Sequence, residues 1–393
     1  MGDSDKLIPK IQLKKYHNKY QSGYLWIFSN ELVEVPKIEA GTLVEAIAGD
    51  KVSLGLAFYN PNSLISLRLL LTDANSDVSK LIKYRIIGAN NRRKQLLANS
   101  DSYRMVFGES DLLPGLIIDK YGSYYAVQIQ SAGFESMKKL ISDTILEIDS
   151  NAKGIILKAN SKSREIEGLS TIDEILFGEI PELIQIKDRE IKININISDG
   201  QKTGYFLDQC KNRHLLSQIS RGKKVLDCFT HIGGFSLNAA YGGATEITAV
   251  DSSASAIELA KINAANNNYN INFITQDVFD FFKNNSDKKW DIIVLDPPAF
   301  AKNKKSVSNA KAAYLKMNQI ALEALAPSGI LLTASCSHHI YEDVFYDIIT
   351  RAALRADKTV NMIYRGSQAP DHPVYPPMPE TSYLKFYALQ SID

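Results

Sequence analysis

From about Gly204 onward, apolar runs alternate with helical stretches, and this alternation constrains the fold more than any other feature. The runs KKVLDCF, EITAVD, INFITQD, DIIVLDPP and GILLTASC are separated by GGFSLNAAYGG, SASAIELAKINAANNN and AAYLKMNQIALEAL. Near-continuous apolar strands alternating with helices predict a parallel sheet covered on both faces. In such sheets ligands bind beyond the carboxyl ends of the strands. The residues that leave each run are therefore the candidates for chemistry.

The chain has 393 residues, too many for one ordinary core. Residues 1–75 hold the short strands YLWIFSNELVEV, GTLVEAIAG, VSLGLAFYN and SLISLRLL, punctuated by SG, AGD and NPNS turns, and read as a small β-domain. Residues 76–182 open with a helical pattern over 77–99. They continue through YRMVFG, GLIIDKYG, YYAVQIQ, a helix near 136–146 and GIILKAN, which predicts a compact α+β domain. In 183–203, Ile191, Ile193, Ile195 and Ile197 alternate with polar residues, the pattern of a hairpin linker. The α/β domain then occupies 204–393.

Lys plus Arg (45) balances Asp plus Glu (44), so any surface for nucleic acid must be a local patch. The three cysteines, Cys210, Cys228 and Cys336, form no CxxC pair. This argues against a disulfide scaffold or a structural zinc, and for a reducing compartment. The opening MGDSDKLIPKIQLKK lacks an apolar segment, and Lys6 stands where a myristoylation signal wants Ser or Thr. No run is long enough for a membrane helix. A cytoplasmic protein with no membrane partner and no metal is expected.

The first apolar run ends at Asp227 and is followed by CFTHIGGFS, whose Gly233 and Gly234 allow a tight turn close to a ligand. The second ends at Asp251, placed for ribose hydroxyls, and the third at Asp277, placed for a base. Three acids on successive strand ends indicate a nucleoside cofactor. The turn lacks the GxGxxG of dinucleotide folds. Asp227 beside the ligand suits a cationic one, which favours S-adenosylmethionine over NAD.

The fourth run ends in LDPPAF. Pro297 and Pro298 restrict the backbone around Asp296. An acid, two prolines and an aromatic suit methylation of an exocyclic amine, but Phe300 comes one residue late. The fifth run ends at Cys336, whose thiolate is able to add to carbon 6 of a pyrimidine and so activate carbon 5, with Asp296 hydrogen-bonding the ring. Cys228 reads as packing, and His338 and His339 as surface residues. Three readings stay open: a cysteine-dependent C5 methyltransferase, an amine methyltransferase using Asp296, and a non-catalytic RNA-binding assembly factor.

These motifs resemble the bacterial family of ribosomal RNA large-subunit 5-methylcytosine methyltransferases that carry an N-terminal PUA domain. The resemblance rests on SGYLWIFSNELVEV, GLAFYNPNSLISLRLL, GESDLLPGLIIDKYG, DGQKTGYFLDQ, NRHLL, DCFTHIGGFSLNAAYGGA, VLDPPAFAKNKK, TASCSHHI and DHPVYPPMPETSYLK. It implies an N-terminal PUA-like β-barrel that binds RNA, a central α+β domain and a C-terminal Rossmann-like class I methyltransferase domain. It also implies S-adenosyl-L-methionine as methyl donor, a cytidine of large-subunit (23S) rRNA as substrate, and a homodimer. Carried over, Cys336 is the nucleophile and Asp296 the acid of the fourth motif. Phe206, Asp227, Phe229, Thr230, Gly233, Asp251, Asp277 and Asp296 line the cofactor site. The family pattern LDQR-x-NR reads LDQCKNR here, with Cys210 in place of arginine and Lys211 and Arg213 left to carry charge.

The basic runs at 14–19, 92–94, 200–204 and 302–305 are candidate phosphate contacts, with Lys202, Lys302, Lys304 and Lys305 as the RNA-binding residues. The run after the DPP motif belongs at the mouth of the site. The target base must leave its stack to reach Cys336.

Overall fold

The computed structural model describes residues 8–15, 17–49, 51–97, 100–198, 204–301 and 304–393. The chain forms two compact units. One comprises Met1–Ile184, Asn196–Tyr205 and Pro370–Thr381, and the other Gln185–Ile195, Phe206–Ala369 and Ser382–Asp393. The segments 1–75 and 76–182 thus fall in the same unit, and the hairpin segment is divided between the two.

In the first unit, Lys10–Gln12, Leu43–Ala48, Val52–Tyr59, Ile65–Leu69 and Trp26–Phe28 form a sheet in that spatial order. Beyond the last of these the chain returns to the first. The Val33 amide donates to the Gln12 carbonyl at 2.9 Å, and the Lys14 amide to the Glu31 carbonyl at 2.8 Å. Both edges are thereby occupied and the sheet closes into a barrel. Its interior holds Leu25, Ile27, Val44, Ala46, Ala57, Tyr59, Leu67 and Leu69, and is completed by Met378 from the excursion Pro370–Thr381. The Met378 sulfur accepts the Leu25 amide at 3.3 Å.

The same unit contains a second sheet, ordered Glu174–Gly178, Gly154–Leu157, Tyr124–Ile129, Leu116–Tyr121 and Ser102–Phe107. The helix Val78–Leu96 starts where the Asp77 carboxylate accepts the Lys80 amide, and it buries Ile82, Ile86 and Ala89 in the core. On its buried face Arg93, 2% exposed, donates to both oxygens of Asp111 at 2.6 and 2.7 Å and to the Asp371 carbonyl at 3.0 Å. Arg93 is therefore an internal ion pair rather than a phosphate contact. Lys19 is similarly committed, 2.8 Å from Glu31 and over the rings of Tyr20, Tyr24 and Phe28.

The second unit is built on a seven-stranded sheet: β1 Lys224–Cys228, β2 Glu246–Asp251, β3 Asn272–Thr275, β4 Trp290–Leu295, β5 Leu325–Ser335, β6 Val360–Gly366 and β7 Lys385–Ser391. Its spatial order is β3-β2-β1-β4-β5-β7-β6. The first five are parallel, as the apolar runs predict. β7, which the apolar runs did not announce, is antiparallel to both β5 and β6. The reason lies in the connections. A helix, Glu342–Arg355, carries the chain from β5 to β6, whereas only a 3₁₀ turn at Pro379–Thr381 lies between β6 and β7.

The helix Cys210–Ile219 precedes β1, and the others of this unit are α1 Gly234–Tyr241, α2 Ala254–Asn266, α3 Val278–Asn284 and α4 Val307–Glu323, with Glu342–Arg355 as α5. The largest core packs Leu226, Ile293, Leu295, Tyr314, Met317, Leu331, Phe345 and Tyr387. No helix among the described residues is long and apolar enough to cross a membrane.

Candidate active site

The chemistry-bearing residues of the second unit stand where β1 to β5 end. At the end of β1 the chain turns through Phe229, His231 and Gly233 with φ of +64°, +51° and +91°. Two non-glycine residues in the left-handed region mark a strained loop, of the kind found where a ligand is held. The Thr230 amide, donating to the Val250 carbonyl at 3.0 Å, pins this loop to β2.

Asp227 organises the loop from beneath and is fully buried. Its Oδ2 accepts the Thr230 hydroxyl at 2.6 Å, the Ser236 amide at 2.9 Å and the Ser236 hydroxyl at 2.5 Å. Its Oδ1 has no hydrogen-bond partner among the described residues. Burial pushes the carboxyl up to about 6, against the pull of those three donors. The carboxylate is thus short of positive charge.

Asp251 ends β2 and accepts the His231 amide on Oδ2 and the Ser253 amide on Oδ1, each at 2.9 Å. The His231 ring rests edge-on against Phe206 at 5.2 Å, and burial holds its imidazole below the usual range. Asp277 lies two residues beyond β3. There Oδ1 caps α3, accepting the Phe279 and Asp280 amides at 2.8 and 3.3 Å.

Asp296 follows β4 directly. Its Oδ1 accepts the Gln209 side-chain amide at 2.9 Å, and Asn212 donates to Gln209 Oε1 at 2.6 Å. Both amides are buried. Cys336 follows β5, next to β4 in the sheet, and is half-buried. Its thiol donates to the Pro297 carbonyl at 3.9 Å. The acid and the thiol therefore belong to neighbouring strand ends.

Phe300 takes a different direction. Its ring lies 4.9 Å from that of Tyr314 and packs against the core. His338 is exposed and sits 5.5 Å from the Tyr383 ring. Cys228 is fully buried and burial pushes its thiol well up, in keeping with packing. Near Cys210 it is Arg213 that pairs with Asp188, at 2.9 Å, while the Cys210 sulfur lies 4.0 Å from the same carboxylate. Of the lysines expected to contact RNA, Lys202 and Lys302 lie outside the described residues. Lys304 begins the short turn Lys304–Ser306, and Lys305 is exposed.

Sequence reasoning assigned no role to Gln209, His231 or Lys385. Lys385 carried a signal, since a lysine within the apolar run YLKFYAL is a buried charge in waiting. Gln209 carried none, because its partner lies 87 positions away.

Residues 159–386, more than half of the chain, match the family described as S-adenosylmethionine-dependent methyltransferase. The chain belongs to the S-adenosylmethionine-dependent methyltransferases. Residues 11–72 of this methyltransferase match a PUA-like domain, which accounts for the barrel. It is 37% identical to ribosomal RNA large subunit methyltransferase I of Shewanella frigidimarina over 389 residues, 96% of this chain and 98% of that one. The protein of the same name from Klebsiella pneumoniae is 34% identical, over 98% and 99% of the two chains. The fold matches that of SMU.776, a methyltransferase complexed with SAH, with a TM-score of 0.83, 22% identity and coverage of 98% and 100%.

The family read from the motifs is therefore the right one, and so are the PUA-like domain, the Rossmann-like methyltransferase domain and the cofactor. The residues present fit S-adenosylmethionine. The unpartnered Asp227 Oδ1 calls for a cation, and Gly233 keeps the loop at a φ that a side chain would strain.

Proposed function

We propose that this methyltransferase acts on carbon 5 of a cytidine in large-subunit ribosomal RNA, in the cytoplasm, through a covalent adduct with Cys336. The relatives bear the name of large-subunit ribosomal RNA methyltransferases over nearly their whole length. The observation that carries the choice of atom is the pairing of strand ends: Cys336 at β5 beside Asp296 at β4, with Phe300 packed on Tyr314. The amine reading wants an aromatic ring stacked on the base, and the nearest one after the prolines is turned to the core.

S-adenosylmethionine supplies an electrophilic methyl group when bound. The chain's own residues do the rest. The Cys336 thiolate adds to carbon 6, forming a C–S bond and making carbon 5 an enamine carbon able to accept that methyl. Asp296, held by Gln209, donates its proton to N3 as the thiolate adds, and takes it back when carbon 5 attacks the methyl. Loss of the carbon 5 proton to water restores the double bond, and the C–S bond breaks to return the thiolate.

Large-subunit rRNA methylated by the wild-type chain, digested to nucleosides and analysed by mass spectrometry, should yield 5-methylcytidine. N4-methylcytidine or N6-methyladenosine in its place would establish the amine mechanism.

We further propose a homodimer. The strand Glu174–Gly178 stands at an edge of its sheet and exposes Ile175 at 51% and Phe177 at 39%, with Ile172 nearby at 79%. An apolar edge of this kind invites a second copy. Light scattering should give twice the 43.7 kDa chain mass, and Ile175→Lys should return it to the monomer. A wild-type monomer would end this reading.

A further inference from the structure

Lys385 opens β7 with 8% of its surface exposed. Its Cα pairs across the sheet with Ser335, one residue before Cys336. The ammonium is fixed from both sides, donating to the Ser337 carbonyl at 2.9 Å and the Tyr383 carbonyl at 2.7 Å. No carboxylate among the described residues lies within ion-pairing distance of it. A buried ammonium satisfied only by neutral carbonyls is an expensive arrangement unless a negative charge stands nearby.

Among the described residues, the charged and titratable groups around it are few. From the end of β5, Cys336 acts on Lys385 directly, and from the start of α5 Glu342 acts on it. Glu342 is already held by Arg365, at 2.6 and 2.5 Å. From α4, the Tyr314 hydroxyl lies 3.1 Å from Ser337 Oγ and feels the charge of Cys336. His338 lies against Tyr383, and the Tyr383 hydroxyl is bonded to Asp208. Of these, Cys336 is the group whose charge the chemistry requires.

We propose that Lys385 is the positioning residue that holds Cys336 as a thiolate, its fixed ammonium supplying the positive charge beside the sulfur. This rests on the reading of Cys336 as nucleophile. The S–H electron pair stays on sulfur, the proton passes to solvent, and Lys385 keeps its own proton throughout. Burial draws Lys385 down, and against the opposing pull of Cys336 and then Glu342 it settles at about 8. The two groups therefore titrate as a pair. Below that range the ammonium is present and favours the thiolate; above it the ammonium is lost, and the thiol ionises as an ordinary one does.

The test is alkylation of the full chain by iodoacetamide across pH 5.5 to 10, with each cysteine quantified by peptide mass spectrometry. Wild-type Cys336 should ionise below the ordinary thiol value of about 8.5. Lys385→Met should slow Cys336 alkylation about tenfold or more at pH 7, with little change at pH 10 and none at Cys210. Lys385→Arg should restore the wild-type profile. Equal profiles for wild type and Lys385→Met would overturn the proposal.

Cys228, fully buried, reports unfolding by reacting quickly. If Lys385→Met unfolds, the comparison moves to Lys385→Gln and Lys385→Arg. A slow glutamine variant beside a normal arginine variant supports the charge, and equal rates for the two refute it. Methyl transfer by Cys336→Ala tests the nucleophile separately, so either reading can fall without the other.

Discussion

Cys336→Ala should reduce methyl transfer to ribosomal RNA by about a thousandfold or more, the scale on which enzymes depend on their nucleophiles, while S-adenosylmethionine binds as before. The side chain stands at the end of β5, half-buried, and its removal leaves Asp227 and the loop after β1 unchanged. Cys336→Ser should fail as well, since a hydroxyl ionises far above neutrality and leaves poorly from carbon 6. RNA carrying 5-fluorocytidine offers a second readout. Fluorine cannot leave as a proton does, so the adduct should persist with the wild-type chain and be detected as a mass shift on the Cys336 peptide. An active Cys336→Ala enzyme would return the chemistry to Asp296 and an exocyclic amine.

Asp227→Asn should weaken S-adenosylmethionine binding about a hundredfold, the loss of a buried charge opposite a cation. The wild-type affinity should depend on pH with a definite sign. Burial raises the Asp227 carboxyl from 3.8 to about 6. The proton is therefore held more tightly in the folded chain than in the unfolded one. The resulting cost to the folded chain is absent below 3.8, grows between 3.8 and about 6 and is complete above that, at about 3 kcal/mol. Ligand binding follows the carboxylate, so affinity should fall about tenfold between pH 7.5 and pH 5. Calorimetric titration of wild type and Asp227→Asn at both values checks this. A flat wild-type profile, or an asparagine variant that binds equally well, would show that Asp227 serves only the loop.

The end of the sheet was legible because of how parallel strands are built. Buried on both faces, β1, β2, β4 and β5 read as apolar runs, and the first polar residue after each, Asp227, Asp251, Asp296 or Cys336, marks the rim. β6 gave no such signal, since exposure alternates along Val360–Gly366. Asp277 was found for its position, yet its carboxylate also caps α3, a role that position alone does not distinguish. Arg93 was taken for a surface cation because Asp111 is adjacent only after folding. The pairing of Gln209 with Asp296 was hidden for the same reason: a hydrogen bond between distant positions leaves no local pattern.

The excursion Pro370–Thr381 has a consequence for the order in which the protein is made. The barrel strands lie within the first 69 residues, but the side chain that completes their interior, Met378, is made roughly 300 residues later. At typical elongation rates of about 5 to 20 residues per second, the nascent barrel waits roughly fifteen seconds to a minute with its interior unfinished. Arg93 and Asp111 wait equally long for the Asp371 carbonyl. The N-terminal unit therefore matures only after residue 378 has been made, and a ribosome stalled before codon 370 would carry an aggregation-prone chain, however complete its first two sheets.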